Sequence, residues 1–133
     1  MRRFAGLALA ALACACACAC ASVAHAQQAA PKVVSTFPPA EAVIPAGIDR
    51  IAVTYDRRMQ DKSWSFTTGG EQKFPEVAGQ PVMSDDHLTI VLPVKLRPNT
   101  TYVVWMNSGR YLNFKDEQGQ SAEPYRLTFT TSE

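Results

Sequence analysis

Beyond residue 20 this sequence contains no cysteine: Cys14, Cys16, Cys18 and Cys20 are the whole set. Beyond Ala26 it keeps a single histidine, His87. The later chain therefore has no disulfide framework and no thiol nucleophile. A Ser-His-Asp relay would have only His87 to build on. An excess of charge of one sign is missing as well. Thirteen Lys and Arg stand against twelve Asp and Glu, and setting Arg2 and Arg3 aside leaves eleven against twelve. No basic patch or run marks a nucleic-acid or anionic-membrane partner. No segment carries an apolar helical stripe over three turns, and a long hydrophobic run occurs only at the start.

That run sets the organisation of the chain. Arg2 and Arg3 precede an Ala-, Leu- and Cys-rich stretch from Phe4 to about Ala21. Ser22-Val23-Ala24-His25-Ala26 then offers small residues before Gln27. A basic start, an apolar middle and an A-x-A end are the parts of a secretory signal peptide, with cleavage expected after Ala26. The four cysteines read as small apolar residues of that segment. Two rivals are a retained anchor helix and a lipid-modified Cys14. In Ala11-Leu12-Ala13-Cys14 the Leu stands one place too close for the second. The expected division is residues 1–26 as signal peptide, 27–32 as a flexible leader and 33–133 as one domain, periplasmic or secreted, with no membrane span in the processed chain. About 107 residues can bury roughly two-thirds of their unfolded surface, so a core is feasible without disulfides.

From Val33 onward, short segments of alternating side chains are separated by Pro, Gly, Asn and Asp, which is a strand signature. Val33–Phe37 reads as an edge strand stopped by Pro38-Pro39. In 48–55, Ile51, Val53 and Tyr55 share one face. Ser63 to Thr68 puts Trp64 and Phe66 together before a Gly69-Gly70 turn. Gln80 to Ser84 reads as a short strand and Ser84-Asp85-Asp86 as a turn. Leu88, Ile90 and Leu92 alternate with polar neighbours. Thr101 to Asn107 is strongly β-prone, and Tyr125 to Thr131 closes the set with Leu127 and Phe129 on one side. About seven strands with apolar inner faces predict an all-β, two-layer antiparallel sandwich of immunoglobulin-like type. Leu96-Arg97-Pro98-Asn99-Thr100-Thr101-Tyr102 adds a local device: a Tyr at a strand start that turns its hydroxyl back to the upstream backbone, a tyrosine corner.

These residues resemble the bacterial Ig-like domains of the SbsA (S-layer protein) type. The matching elements are Ser35-Thr36-Phe37-Pro38, Ile44-Pro45, Ile51 to Tyr55, Met59, Leu96 to Tyr102, Asp116 with Gly119, and Leu127 to Thr131. Tyr55-Asp56-Arg57-Arg58-Met59 departs from the usual Phe-Ser-x-Pro-Met, and the segment 105–114 is richer in aromatics than the generic loop. The resemblance implies the sandwich fold and a spacer, adhesion or appendage role; fold alone does not choose among these.

Residues able to carry chemistry are few. His87 follows Asp85 and Asp86 in a turn, where nothing orients an imidazole for catalysis, so a small hydrolase is not expected. The adjacent acids Asp85-Asp86 and Asp116-Glu117 read as turn residues solvating loops. Asp116, Glu117 and Gln118 lack the D-x-D-x-D spacing of a strong calcium site. Asn99-Thr100-Thr101 fits a glycosylation acceptor but reads as a turn Asn. The class-distinct alternative is a CopC-like periplasmic copper carrier. Cleavage after Ala24 would make His25 the amino terminus, and its imidazole and amine would form a Cu(II) chelate completed by His87 and Asp85. No late Asp-Gly-His element or Met-rich tract supports it, and no cofactor or metal is expected.

The strongest functional segment is the connection from Asn107 to Pro124, longer than a hairpin needs. Phe114 and Leu112 are expected to plug the end of the sandwich, leaving Arg110 and Tyr111 displayed as interaction candidates. Trp64 and Trp105 are expected in the core rather than as stacking platforms. The expected function is a non-enzymatic binding or structural module meeting a protein or cell-envelope component through its end loops.

Overall fold

The computed structural model describes residues 29–70 and 73–133. The expectations for the signal segment, for Cys14 and for His25 lie outside the described residues. Those residues form nine strands: β1 (Val33–Phe37), β2 (Val43–Ile44), β3 (Arg50–Tyr55), β4 (Phe66–Thr67), β5 (Glu76–Val77), β6 (Val82–Met83), β7 (Thr89–Lys95), β8 (Thr101–Met106) and β9 (Tyr125–Thr131). One sheet runs β1-β3-β7-β5, with β6 also paired to β7; the other runs β2-β9-β8-β4. The expected two-layer sandwich is present. Its strand number exceeds seven because β2 and β5, two residues each, are too short to show alternation. Among the described residues no helix is long and apolar enough to cross a membrane.

Period two explains the layers. Ile51, Val53 and Tyr55 of β3 are buried, as are Ile90, Leu92 and Val94 of β7. Facing them, Tyr102, Val104 and Met106 of β8 and Leu127 and Phe129 of β9 are buried too. These side chains form one core with Met59, Phe114 and Ala122. Fully burying an aliphatic or aromatic side chain contributes roughly 1.5–3 kcal/mol, so this core is the main stabilising term in a chain without cross-links there.

The first strand changes sheets. β1 pairs antiparallel with β3 as an edge strand. After Pro38-Pro39 the chain reaches β2, which runs parallel to β9 in the opposite sheet. This is one departure from the expected all-antiparallel pairing. Pro93 sits inside β7, a central strand, where a missing N–H is normally costly. Its carbonyl accepts the Ala78 N–H at 2.9 Å, so its nitrogen faces the same side. On that side the partner passes from β6, opposite Ile90 and Val91, to β5, opposite Val94 and Lys95, and the ladder is already broken.

The tyrosine corner forms as expected. The Arg97 N–H donates to the Tyr102 hydroxyl oxygen at 2.8 Å. Buried Thr131 completes it, accepting the Thr100 N–H at 3.0 Å and donating its hydroxyl to the Arg97 carbonyl at 2.5 Å. Both backbone groups of Arg97 are thus held by side chains of β8 and β9.

Candidate functional site

The long connection between β8 and β9 is built on Asn107. This residue is fully buried with φ of 68°, a left-handed conformation that Asn tolerates better than most residues. Its Nδ2 donates to the carbonyls of Phe114 at 3.1 Å and Ala122 at 3.0 Å. Its Oδ1 accepts the Phe114 N–H at 3.0 Å. Phe114 is fully buried, edge-on to Phe66 at 5.0 Å and tilted against Tyr55 at 5.5 Å. Phe114 is therefore the expected plug, while Leu112 is only half-buried. The other anchor is β4's leader: Ser65 accepts the Asn113 N–H on its hydroxyl and the Asn107 N–H on its carbonyl.

Further along, the turn at Asp116 corrects an expectation. Its carboxylate does not solvate a loop but is fully buried. Oδ1 accepts the N–H groups of Gln118 at 3.0 Å and Gln120 at 2.9 Å, and Oδ2 lies 3.4 Å from the Arg57 guanidinium. Met59, fully buried, bridges to Asp116. The segment 55–59 that departs from the family pattern thus supplies the countercharge for this turn.

Between these anchors a tight turn projects. The Ser108 N–H donates to the Tyr111 carbonyl at 3.0 Å and the Tyr111 N–H to the Ser108 carbonyl at 2.8 Å. Gly109, with φ of 54°, makes the reversal possible without a Cβ penalty. Ser108 is tied to β4 by a 2.8 Å hydroxyl pair with Thr67. Arg110 and Tyr111 are both exposed, Tyr111 by 55%. They line an open pocket of about 330 Å³ together with Trp105, Thr68, Gly69 and Gly70.

Trp105 corrects another expectation. It falls on the opposite face of β8 from Tyr102, Val104 and Met106, and is half-buried on the outside of the sheet. Its neighbours across the sheet are Thr67 and Arg126. The alternation of β8 carried this signal: an aromatic at the odd position of a strand whose even positions fill the core. Trp64 also lies at the margin of the core rather than within it, half-buried. Gly69, with φ of 60°, rests on the indole: a Cβ there would stand 2.3 Å from Cδ1 and Nε1 of Trp105. Two reasons therefore disfavour a side chain at this position, which would have to displace the indole.

The other candidates sit elsewhere. His87, with φ of 60°, has Nδ1 3.2 Å from the Met59 carbonyl and 3.5 Å from Glu117 Oε2. Neither partner is a hydroxyl or thiol that an imidazole could activate. Asp85 is exposed. The Ser84 hydroxyl and then the Leu88 N–H, both bonded to the Asp86 carboxylate, hold it below the usual carboxylate range. Among the described residues no group of three His, Cys, Asp or Glu side chains is placed to hold a metal.

No functionally curated protein matches the sequence. Among solved structures the fold is similar to the S-layer protein rSbsC(31-844) and to surface layer protein SbsC, domains 1-6. Each is 22% identical with a TM-score of 0.51, over 78% of this chain. The chain spans 14% of the length of each of those chains, and the likeness concerns the fold. Residues 27–131 match the family described as Bacterial Ig-like domain. With its strand alternation, tyrosine corner and facing sheets all accounted for by the same stretch of sequence, the chain belongs to the bacterial Ig-like domain family.

Proposed function

We propose that this protein is an exported, non-enzymatic binding or structural module of the SbsA type, periplasmic or secreted. Residues 1–26 direct export and are removed after Ala26, 27–32 form a leader, and 33–133 act as the domain. Its partner is a protein or cell-envelope component, met at the end of the sandwich through Arg110 and Tyr111.

The observation that carries this reading is the rigid display of an exposed Tyr and Arg beside Trp105. The projecting turn is pinned at Ser108 and rooted in the buried Asn107–Phe114 contact. Tyr, Trp and Arg dominate interface energetics because they bring large area or planar charge at modest entropy cost. A turn held by a packed scaffold loses little freedom on binding. His87 faces the Met59 carbonyl and the Glu117 carboxylate, an arrangement unlike the Ser-His-Asp relay of a hydrolase.

The test is the double variant Arg110→Ala, Tyr111→Ala, compared with the parent for melting temperature and for capture of envelope components on a column. Unchanged melting with reduced capture supports the reading. A large fall in melting temperature would instead make both side chains packing residues. Amino-terminal sequencing of the exported protein checks the cleavage after Ala26.

A further inference from the structure

The far end of the sandwich carries a second hollow, of about 280 Å³. It lies where β8 begins, whereas the Asn107 loop lies where β8 ends, roughly 20 Å along the strand. Three cationic side chains line it from three directions. Lys95 comes from the end of β7 and Arg97 from the corner. Lys73 comes from the segment beside β8, where its carbonyl accepts the Val103 N–H at 3.1 Å. Glu76 lines the hollow too, on β5 opposite Lys95. Among the described residues the cations held in ion pairs are Arg50, Arg57, Arg58 and His87, so Lys95 is not paired even to Glu76. Like charges gathered around one hollow repel, and an anion placed between them relieves that.

Tyr102 supplies a second observation, independent of charge. It is 4% exposed and lines the same hollow. Its hydroxyl oxygen accepts the Arg97 N–H at 2.8 Å, and among the described residues that is the one hydrogen bond it makes. A phenol hydroxyl also carries a hydrogen to donate. That hydrogen is an unused donor on a buried side chain, a state native structures seldom leave without purpose. The corner steadies Arg97 as well. Its backbone N–H and carbonyl are held by Tyr102 and Thr131, so its side chain springs from a fixed base and less freedom is lost on binding. The Thr100 hydroxyl, by contrast, is spent on the Pro98 carbonyl at 2.9 Å.

The arrangement of donors selects the anion by shape. A carboxylate is planar, and a single guanidinium satisfies it in bidentate fashion. Here the donors stand on several sides, which suits a group with oxygens pointing several ways. A phosphate monoester has three strongly accepting oxygens and a charge of about −1.5 to −2 at neutral pH. The hollow is larger than one phosphate group fills, and Phe74 gives it an apolar wall for an organic part. We propose that this hollow binds a phosphate monoester, its oxygens on the Tyr102 hydroxyl, Arg97 and Lys95, with Lys73 adding charge and the esterified group against Phe74. The site goes beyond the function proposed above and does not depend on Arg110 or Tyr111.

The experiment is an amide NMR titration of the exported protein with glycerol phosphate at constant ionic strength, with inorganic phosphate and acetate as comparisons. Glycerol phosphate should give saturable shifts at Lys95, Arg97 and Thr100. The Arg97 N–H should move downfield, because a hydroxyl that donates becomes a stronger acceptor. Arg97→Gln should weaken binding by about tenfold, the loss of one charge-assisted contact. Tyr102→Phe should weaken it by about fivefold, and Glu76→Gln should tighten it by about threefold by removing a like charge. Arg97→Gln and Glu76→Gln, both at exposed positions, keep the test valid if Tyr102→Phe loosens the corner. Shifts of equal size with acetate, or shifts that never saturate, mean screening of exposed charge and overturn the site. Saturable binding that Arg97→Gln leaves unchanged overturns its placement. Inorganic phosphate binding as tightly as glycerol phosphate overturns the ester assignment. The double variant Arg110→Ala, Tyr111→Ala should titrate like the parent; loss of ester binding there, with melting unchanged, puts the anion at the other end and overturns the inference.

Discussion

Asn107 pairs with Phe114 as if it were a strand: its side-chain amide takes the Phe114 N–H at 3.0 Å and gives to the Phe114 carbonyl at 3.1 Å. One polar side chain inside the sandwich thereby substitutes for a missing ladder and brings the aromatic plug to the core. Buried amides of this kind are stabilising only when fully partnered, and this one is.

Replacing it tests that dependence. Asn107→Ala leaves the Phe114 N–H and the Ala122 carbonyl without the partners they have here. It also puts Ala at a φ of 68°. The expected loss is about 2–4 kcal/mol in urea unfolding. Asn107→Gly relieves the backbone but not the hydrogen bonds, and should recover about 1 kcal/mol of it. Equal stability of the Ala variant and the parent would mean the amide contributes nothing net.

Tyr55 is the opposite case. Its hydroxyl is buried with no hydrogen-bond partner among the described residues, and burial pushes its phenol above the tyrosine range. Tyr55→Phe removes the cost of desolvating that group and should leave stability unchanged or raise it by about 1 kcal/mol. The pH dependence follows by sign. Raised above its unfolded value of 10.0, the phenol contributes nothing variable at neutral pH. Above that value the unfolded chain releases a proton that the folded chain keeps, so stability falls as pH rises. That alkaline decline should be shallower in Tyr55→Phe, measured by unfolding from pH 8 upward; an identical slope in both proteins would place the cause elsewhere.

At the corner, Tyr102→Phe deletes the acceptor for the Arg97 N–H. Thr131 still holds the Arg97 carbonyl. The expected cost is about 1 kcal/mol, seen as a lower denaturation midpoint at unchanged slope, with partner capture unaffected. A fall in that capture at full stability would contradict a role confined to this end of the sandwich.

Gly69→Ala is expected to act on the pocket more than on the fold. The added Cβ would meet the Trp105 indole at 2.3 Å, and φ of 60° disfavours Ala by about 1 kcal/mol. The ring must turn away, so the tryptophan emission should shift and partner capture at the pocket should drop. Emission and binding identical to the parent would show that the indole does not depend on this glycine.

Much of the fold was legible because burial imposes a period on strands. Ile51, Val53 and Tyr55, and likewise Leu127 and Phe129, read as inner faces and are buried. Other features had no local signature. Ser63 to Thr68 reads as a strand, yet β4 covers only Phe66–Thr67, because the Ser63 and Ser65 side chains turn to the Asn113 backbone instead. Asp116 reads as a solvated turn acid; only the approach of Arg57, 59 residues earlier, and the closure of the turn around its oxygens make burial affordable.

By itself, then, the order of side chains determined the layers, the corner at Tyr102 and the poverty of catalytic groups, because alternation, turn chemistry and composition are local properties. The tertiary structure alone decided that Trp105 faces outward beside Tyr111 and Arg110, that Gly69 lies on its ring, and that Asn107 carries the loop. Those contacts join residues distant in the chain. Which face of a strand meets solvent, and which loop arrives next to it, is settled only when both sheets close on a shared core.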